Sequence, residues 1–216
     1  MIGTKQKTYE EIKHLLKNSK KIAILGCGDC ATSCQTGGEQ QVKELAEKLS
    51  KDGKTISHQG VIDVACDKRL VKKHLRTYKE GIDKADTLLV MACGSGVQTL
   101  AEAVEKDVLP ALDSTFIGQI ENLSKFYERC SVCGECILAD TAGICVVTRC
   151  AKGLVNGPCG GSDQGKCEVN RDNDCAWYLV YERLKKLNKL ENLKRARSPK
   201  SFSHSRKPRK IEIQRT

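Results

Sequence analysis

With 216 residues, the chain is long enough for one sizeable core and a smaller second module. It has no 18-residue apolar run, and no apolar stretch with a small-residue cleavage site follows Met1, so we expect a soluble, cytoplasmic protein and exclude a membrane protein. The formal net charge is +10, but residues 194–216 carry nine Lys or Arg and one Glu. The rest of the chain is nearly neutral, which excludes a broad nucleic-acid-binding surface on the folded body.

Strands and helices alternate through the first half of the chain. The capping-box spacing from Thr8 to Glu11 opens the first helix, and a nearly unbroken apolar strand follows at Lys21. Short connections between such elements predict an α/β fold with a doubly wound parallel sheet of the flavodoxin or Rossmann type. The predicted helices cover about 9–17, 38–49, 68–78 and 97–105, and the predicted strands cover 21–25, 61–65, 87–91 and 108–112. A further helix is predicted at 121–129.

Five cysteines follow predicted strands of this sheet. Because the carboxyl ends of parallel strands lie at one edge, where such folds bind ligands, these thiols should lie close together. The first loop supplies a Cys-x2-Cys-x3-Cys run, and Gly94-Ser95-Gly96 would let the backbone after a neighbouring strand approach closely. The sequence therefore predicts a cluster site with ligands Cys27, Cys30, Cys34 and Cys93, or Cys66 as the alternative fourth ligand.

The first loop also matches a dinucleotide-binding pattern. Residues 26–31 fit G-x-G-x-x-A, which in nucleotide-binding folds places a pyrophosphate at a helix N-terminus. Here, however, the next helix is predicted to begin only after Gly37-Gly38, and thiols occupy the positions where the pyrophosphate would lie. We therefore favour thiol chemistry over nucleotide binding at this loop.

Eight more cysteines lie between residues 130 and 175, in a segment rich in glycine. A reducing cytosol disfavours disulfides, and two-residue intervals such as those in CSVCGEC direct successive sulfurs at one metal centre. The apolar stripe after Cys175 predicts a helix that packs on this segment. We expect an α/β domain at 1–125, a metal-stabilised cysteine-rich module with a C-terminal helix at 126–193, and a basic extended tail at 194–216.

The motifs NGPCGG, GKCEV and DCAW, preceded by CSVCGEC, resemble a known family. They are similar to the small cysteine-rich partner subunit of the two-subunit methylenetetrahydrofolate reductases of acetogenic bacteria, and to the C-terminal cysteine domain of other reductases of that class. The N-terminal motifs GCGDCATSCQTGGE and ACGSGVQT fit the same subunit. The resemblance implies iron-sulfur and zinc binding, and partnership with a flavin-containing catalytic subunit.

Carried over by position, the resemblance divides the eight cysteines into two sets. One set corresponds to the cysteines of the shorter attached domain and consists of Cys150, Cys159, Cys167 and Cys175. This set suits zinc, because zinc sites with four cysteines are structural. The other set consists of Cys130, Cys133, Cys136 and Cys145. It resembles the ligands of a ferredoxin cluster but lacks a proline after its last cysteine, so the bound metal could be iron or zinc. The expected cofactors are one or two 4Fe-4S clusters and zinc.

The chain lacks the parts of a complete folate reductase. It is too short to hold a barrel of about 250 residues beside these domains, and none of its four histidines lies in a catalytic or ligand pattern. We therefore expect a non-catalytic subunit that passes electrons to the flavin of a partner subunit. That partner would reduce 5,10-methylenetetrahydrofolate to 5-methyltetrahydrofolate, and further electron-transfer subunits are expected as additional partners. The basic tail would dock on the flavoprotein.

A second interpretation is a zinc-stabilised module whose basic tail binds nucleic acid. Its support is the charge of the tail. Aromatic residues make up only 4% of the chain, and the tail lacks interleaved stacking residues, so this interpretation is the weaker one.

Overall fold

The computed structural model describes residues 1–122, 124–201 and 203, and the chain divides into two units, Met1–Tyr127 and Glu128–Thr216. The described part of the N-terminal unit contains a parallel sheet of four strands and an antiparallel sheet of three. The protein therefore has a mixed α/β fold. None of the described helices is long and apolar enough to cross a membrane.

The parallel sheet forms the centre of the N-terminal unit. Its strands are β2 (Lys21–Cys27), β3 (Thr55–Ile62), β4 (Thr87–Met91) and β5 (Asp107–Pro110), in the order β3-β2-β4-β5. The two central strands are the apolar runs of the sequence, and Ile24 and Leu89 within them have no exposed surface. The parallel sheet predicted from the sequence is confirmed, and its strand order is that of flavodoxin-like folds.

Helices connect these strands. They are α1 (Tyr9–Leu15), α2 (Cys30–Ser33), α3 (Glu39–Lys51), α4 (Lys68–Thr77), α5 (Lys79–Asp83) and α6 (Gly94–Ala101). The Thr8–Glu11 capping box is present at the start of α1. Because crossovers between parallel strands are right-handed, α3 lies on one face of the sheet, and α4 and α6 lie on the other.

Two boundaries differ from those predicted. The strand β3 begins at Thr55 and ends at Ile62, several residues before the predicted 61–65, because it lies at the edge of the sheet and carries polar residues such as His58 and Gln59. The helix predicted at 97–105 instead begins at Gly94 and ends at Ala101. Its first turn therefore contains Gly94 and Gly96, which lie before the predicted start of the helix.

The antiparallel sheet was missed by the sequence analysis. It has the order β1-β6-β7 and consists of β1 (Ile2–Gln6), β6 (Leu112–Asn122) and β7 (Lys125–Cys130). The helix predicted at 121–129 is therefore wrong. Aromatic and β-branched residues such as Phe116 and Tyr127 favour strands. The side chain of Asn122 accepts hydrogen bonds from the N–H and hydroxyl of Ser124, both 3.0 Å, which stabilises a turn between β6 and β7.

The C-terminal unit has little regular structure. Its described elements are α7 (Val146–Arg149), α8 (Ala176–Lys186) and a short 3-10 helix at Leu190–Lys194, so the helix predicted after Cys175 is confirmed as α8. Its small core consists of Ile144, Val146, Ala176, Trp177, Val180 and Leu184. The predicted tail begins inside the 3-10 helix, and its residues 202 and 204–216 lie outside the described part of the chain.

Candidate functional site

Three cysteines lie at the ends of three neighbouring strands in the N-terminal unit. Cys27 is the last residue of β2 and pairs with Ile62 at the end of β3. On the other side, Gly26 pairs with Met91 at the end of β4. Cys66 follows Ile62 by four residues and Cys93 follows Met91 by two, so Cys27 lies between the strand ends that lead to the other two.

The loop after β2 returns across the same edge of the sheet. The N–H of Cys27 donates to Gly37 O at 3.0 Å, and the N–H of Gly28 donates to Ile62 O at 2.8 Å. Gly37 lies so close to β4 that a Cβ at this position would be 2.1 Å from Met91 O. This position therefore requires glycine, and the close approach holds the cysteine-bearing loop against the end of the sheet.

The other two cysteines of this loop contact the antiparallel sheet. The N–H of Ile2 in β1 donates to Cys30 Sγ at 3.4 Å, and the thiol of Cys34 donates to Ile2 O at 3.7 Å. Ile2 therefore contacts both sulfurs: its N–H donates to Cys30, and its carbonyl oxygen accepts from Cys34. Because the sequence analysis missed β1, it could not predict these contacts.

Two thiols at this edge, those of Cys30 and Cys66, have raised pKa values. Burial raises the pKa of the Cys66 thiol above its ordinary value, and the neighbouring Cys93 and Cys27 thiols raise it further. Burial also raises the pKa of Cys30, while the N–H of Ile2 opposes that shift. A bound cation would favour the thiolate forms of all these cysteines, because metal ligands of this type must be deprotonated.

In the C-terminal unit, the four cysteines predicted to hold zinc line a single cavity. Cys150 directly follows α7 and Cys175 directly precedes α8. The cavity has a volume of about 20 Å³, room for about one water-sized sphere. A volume of this size accommodates a single ion. The cysteines that line it are Cys150, Cys159, Cys167 and Cys175.

Charged side chains border this cavity. Cys159 Sγ lies 3.2 Å from Glu168 Oε1, and the same carboxylate forms an ion pair with Lys152. The hydrogen bond from Lys152 has the larger effect, and together with the hydrogen bond from Cys159 it holds the pKa of Glu168 below its ordinary range. Lys152 and Arg149 both line the cavity, so they place positive charge beside the sulfurs. These two charges would offset part of the negative charge that four thiolates carry, whereas the carboxylate of Glu168 adds to that negative charge.

The remaining set of four cysteines is held by loop contacts. The N–H of Val132 donates to Cys130 Sγ at 3.3 Å, and Cys145 Sγ lies 3.5 Å from Thr148 Oγ1. The hydroxyls of Ser131 and Thr148 are 2.8 Å apart, which joins the loop of CSVCGEC to the helix that begins after Cys145. The thiol of Cys133 donates to the carbonyl oxygen of Glu135, while Cys136 is exposed.

All thirteen cysteines are free thiols. In the part of the chain that the structure describes, no three His, Cys, Asp or Glu side chains converge in an arrangement that could hold a metal ion. The cavity shared by Cys150, Cys159, Cys167 and Cys175 offers sulfur ligands and enough room for a single ion. To bind that ion, the four side chains would have to rotate so that their sulfurs point towards one another. The strand-end cysteines share one edge, but two of them turn towards Ile2.

One group of side chains at the same sheet was not found from the sequence. His58 on β3 and His74 on α4 face each other with Nε2 atoms 3.1 Å apart, and both rings pack against Tyr78. Burial lowers the pKa of His58, and burial together with His58 lowers the pKa of His74 to about 4. The pair is therefore neutral near pH 7. Sixteen residues and a change of element separate the two histidines, so no local pattern indicated the contact.

Part of the chain matches the model of a known protein family. A family model described as "Methylene-tetrahydrofolate reductase C terminal" matches residues 109–203. The matched segment contains all eight cysteines of the C-terminal unit and continues through the part of the tail that the structure describes. No curated protein matches the chain. This part of the chain is therefore related to the C-terminal domain of methylenetetrahydrofolate reductases.

Proposed function

We propose that the chain is the electron-transfer subunit of a methylenetetrahydrofolate reductase complex. The observation that carries this proposal is the family match over residues 109–203, which connects the cysteine-rich unit with that class of reductase. The residues matched contain eight cysteines, and this segment is far shorter than a barrel of about 250 residues. A role beside a separate catalytic subunit is compatible with this content.

The proposed roles of this chain and of its partner subunit follow from the chemistry that each could supply. Reduction of a methylene group on folate requires a hydride donor such as a reduced flavin, and that chemistry belongs to a cofactor bound beside the substrate. A flavin-containing catalytic partner would provide it. Iron-sulfur clusters held by cysteine thiolates carry single electrons, so this chain would deliver electrons to the flavin. Its own residues would hold the clusters and shield them from water.

Different cysteine sets would have different roles within this function. We assign zinc to the set that lines the small cavity, Cys150, Cys159, Cys167 and Cys175, because a closed site with four thiolates and room for one ion suits a structural metal. Arg149 and Lys152 line this cavity and would offset part of the thiolates' charge, while the Glu168 carboxylate paired with Lys152 would act against it. The cysteines at the sheet edge and the set that begins at Cys130 would hold the 4Fe-4S clusters.

The test is to co-purify the full chain, made without oxygen, with a flavin-containing methylenetetrahydrofolate reductase. We expect the chain to contain iron and zinc, and its chemically reduced form to reduce the flavin of the partner in a stopped-flow experiment. A chain depleted of iron, with its zinc retained, is the matched control and should leave the flavin oxidised. Flavin reduction at the same rate by the iron-depleted chain would contradict the proposed function.

A further inference from the structure

The two outer strands of the parallel sheet differ in how they are protected. An outer strand exposes backbone groups that invite pairing with another chain, and proteins usually guard it with a short length, charged residues or proline. The outer strand β5 has only four residues, begins with Asp107 and ends with Pro110. The outer strand β3 has eight residues and contains no Lys, Arg, Asp, Glu or Pro. It is therefore the unguarded side of this sheet.

The backbone of β3 has hydrogen-bonding groups that point away from the sheet. Ile62 O accepts a hydrogen bond from the N–H of Gly28, so it points towards β2. Because backbone groups of successive strand residues point in opposite directions, Val61 and Gln59 direct their N–H and C=O groups to the open side. Residues 58–62 pair with β2 in a continuous register, and none of the described strands pairs with the open side of β3. An extended chain could therefore continue the sheet here.

A groove runs along the open side of β3, between the helices on the two faces of the sheet. A Cβ at Gly26 would contact both Val42 of α3 and Val61, so these two side chains lie on the α3 face. A Cβ at Gly60 would contact His74 of α4, so Gly60 lies on the α4 face. Residues of both faces line one cavity of about 380 Å³, which we call the β3 groove. The groove thus has room for side chains on both faces of an added strand.

Positive charge is concentrated on α4. This helix contains five Lys or Arg residues and neither Asp nor Glu. Two of the five form ion pairs, at Lys68 and Arg69. A second cavity of about 200 Å³ shares His74 with the β3 groove and is lined by Lys73 and Asp63, so one carboxylate lies beside this basic surface. In the described part of the chain, the other three basic residues of α4 are exposed and form no ion pair: Lys72, Lys73 and Arg76.

The α3 face of the groove is neutral and partly apolar. Lys43 and Glu39 lie four residues apart on α3, so their charges balance, and Val42 and Val61 add apolar surface. An extended chain directs alternate side chains to opposite faces of a sheet. Acidic side chains on the α4 face, alternating with apolar side chains on the α3 face, would therefore match both surfaces.

We infer that β3 is a docking strand for an acidic, extended segment of a partner protein, which adds to the sheet through main-chain hydrogen bonds to Gln59 and Val61. A peptide main chain offers both donors and acceptors to these residues, whereas phosphate groups of a nucleic acid would pair with the N–H groups alone. Charge disfavours a second copy of this chain, because antiparallel pairing of two β3 strands would place two basic α4 helices side by side. This docking role goes beyond the proposed function and requires no bound metal.

Three synthetic peptides of about ten residues, a typical length for a long strand, test the inference on the full chain by fluorescence anisotropy. The first alternates Glu and Val, the second is the same peptide with every main-chain nitrogen methylated, and the third has Lys in place of Glu. We expect the first to bind, and the other two to bind about tenfold more weakly or worse, because they lack the main-chain donors or the negative charge. Absence of binding by the first peptide, or equal binding by its methylated form, would overturn the inference.

Two matched double variants separate the groove from general attraction to a basic protein. Lys73→Glu with Arg76→Glu reverses two exposed charges on α4. Lys17→Glu with Lys51→Glu reverses two exposed charges that lie four residues before β2 and β3 begin, away from the groove. We expect the first pair to weaken binding of the Glu-Val peptide about tenfold and the second pair to weaken it less than about twofold. Equal weakening by both pairs would contradict a site at α4.

Hydrogen-deuterium exchange locates the bound peptide, with the guarded strand as internal control. We expect the Glu-Val peptide to slow exchange at residues 58–62 about tenfold, because main-chain pairing protects these amides, and to leave residues 107–110 unchanged. Binding that leaves exchange at residues 58–62 unchanged would overturn the inference.

The other occupants of the groove give different outcomes. If a single-stranded oligonucleotide of the same length binds more tightly than the Glu-Val peptide and loses affinity in Lys73→Glu with Arg76→Glu, then α4 is a nucleic-acid surface and the inference is wrong. If the chain alone sediments as a dimer in which residues 58–62 are protected from exchange, then a second copy occupies the groove and the inference is equally wrong. A monomer that prefers the acidic peptide supports the docking strand.

Discussion

The sheet edge and the C-terminal cavity place their cysteines by different physical means. At the edge, Cys27 continues a buried strand, and the core beneath it contains fully buried residues such as Ile24 and Leu89. In the C-terminal unit, the described core cluster has only six buried apolar residues, and the cysteines border it on loops. A core of that size stabilises a unit weakly. The edge thus holds its thiols in place through the fold, whereas the loops around the cavity would be ordered by the zinc that we propose there.

Metal removal should produce the largest difference between the two regions, measured as their resistance to proteolysis. Binding of zinc to four thiolates contributes on the order of 10 kcal/mol to the folding of small domains, more than a core of this size supplies. We expect chelation, or Cys159→Ser, to expose residues 128–201 to rapid proteolysis while residues 1–122 stay protected. Limited proteolysis followed by mass spectrometry measures both regions in one sample.

Cys66→Ser is the matched control for that experiment, because it removes a thiol from the other region. It should leave the proteolysis of both units unchanged. If the C-terminal unit resists protease equally with and without metal, then its small core suffices to order it, and the contrast between the two regions is wrong.

A substitution at Gly37 tests whether the fold holds the cysteines at the sheet edge in place. Its expected effect is smaller than that of metal removal. An alanine Cβ there would be 2.1 Å from Met91 O and 3.0 Å from the Cβ of Ala31, so the loop must move away from the end of β4. We expect Gly37→Ala to lower the free energy of unfolding of the N-terminal unit by about 1–3 kcal/mol, the usual cost of overpacking. Urea unfolding followed by circular dichroism measures the change.

Gly94→Ala provides the control for Gly37→Ala. Its Cβ would meet only Ser114 Oγ, at 3.8 Å, and it lies in the first turn of α6. Alanine favours helices over glycine by up to about 1 kcal/mol, so this variant should be as stable as the wild type or more stable. Equal destabilisation by both substitutions would mean that the close approach of the loop to β4 does not hold the cysteines in place.

The same contrast explains which features could be predicted from the sequence. The strands β2 and β4 are continuous apolar runs, so their burial and the thiols at their ends followed from the pattern. The strands β1 and β6 are half-exposed and mix polar with apolar residues, and they pair across more than 100 positions. No local signal reports such a pairing, and the contacts of Ile2 with Cys30 and Cys34 depend on it.

The cavity shows a different limit of sequence-based prediction. The resemblance grouped Cys150, Cys159, Cys167 and Cys175 by position, and the structure places all four around one cavity. The charged pair of Lys152 and Glu168 beside Cys159 was not predicted, because the GKCEV motif that contains Glu168 does not indicate which side chains its carboxylate contacts. Loops without a periodic pattern give little information on which charged side chains they bring together.

The beginning of the basic tail gives the last and smallest test. Arg197 donates its N–H to Asn156 Oδ1 at 2.9 Å, and Asn156 Nδ2 donates to Arg197 O at 3.0 Å, so one side chain pairs with both backbone groups. The guanidinium of Arg197 also lies 2.7 Å from Asp140. This part of the tail is therefore bound to its own unit, and its charge at Arg197 is already paired, which lessens its value for binding nucleic acid.

Asn156→Ala removes both hydrogen bonds and should loosen the backbone at Arg197. Each bond contributes about 1 kcal/mol, so we expect the amide of Arg197 to exchange its hydrogen roughly ten- to thirtyfold faster, as measured by hydrogen-deuterium exchange and mass spectrometry. Asp140→Asn is the control, because it removes the charge of a partly exposed ion pair but keeps both hydrogen bonds, and its effect should stay below about 1 kcal/mol. If Asp140→Asn speeds exchange as much as Asn156→Ala does, then the ion pair rather than the asparagine holds the segment. Metal content should stay unchanged in both variants, since neither residue lines the cysteine cavity.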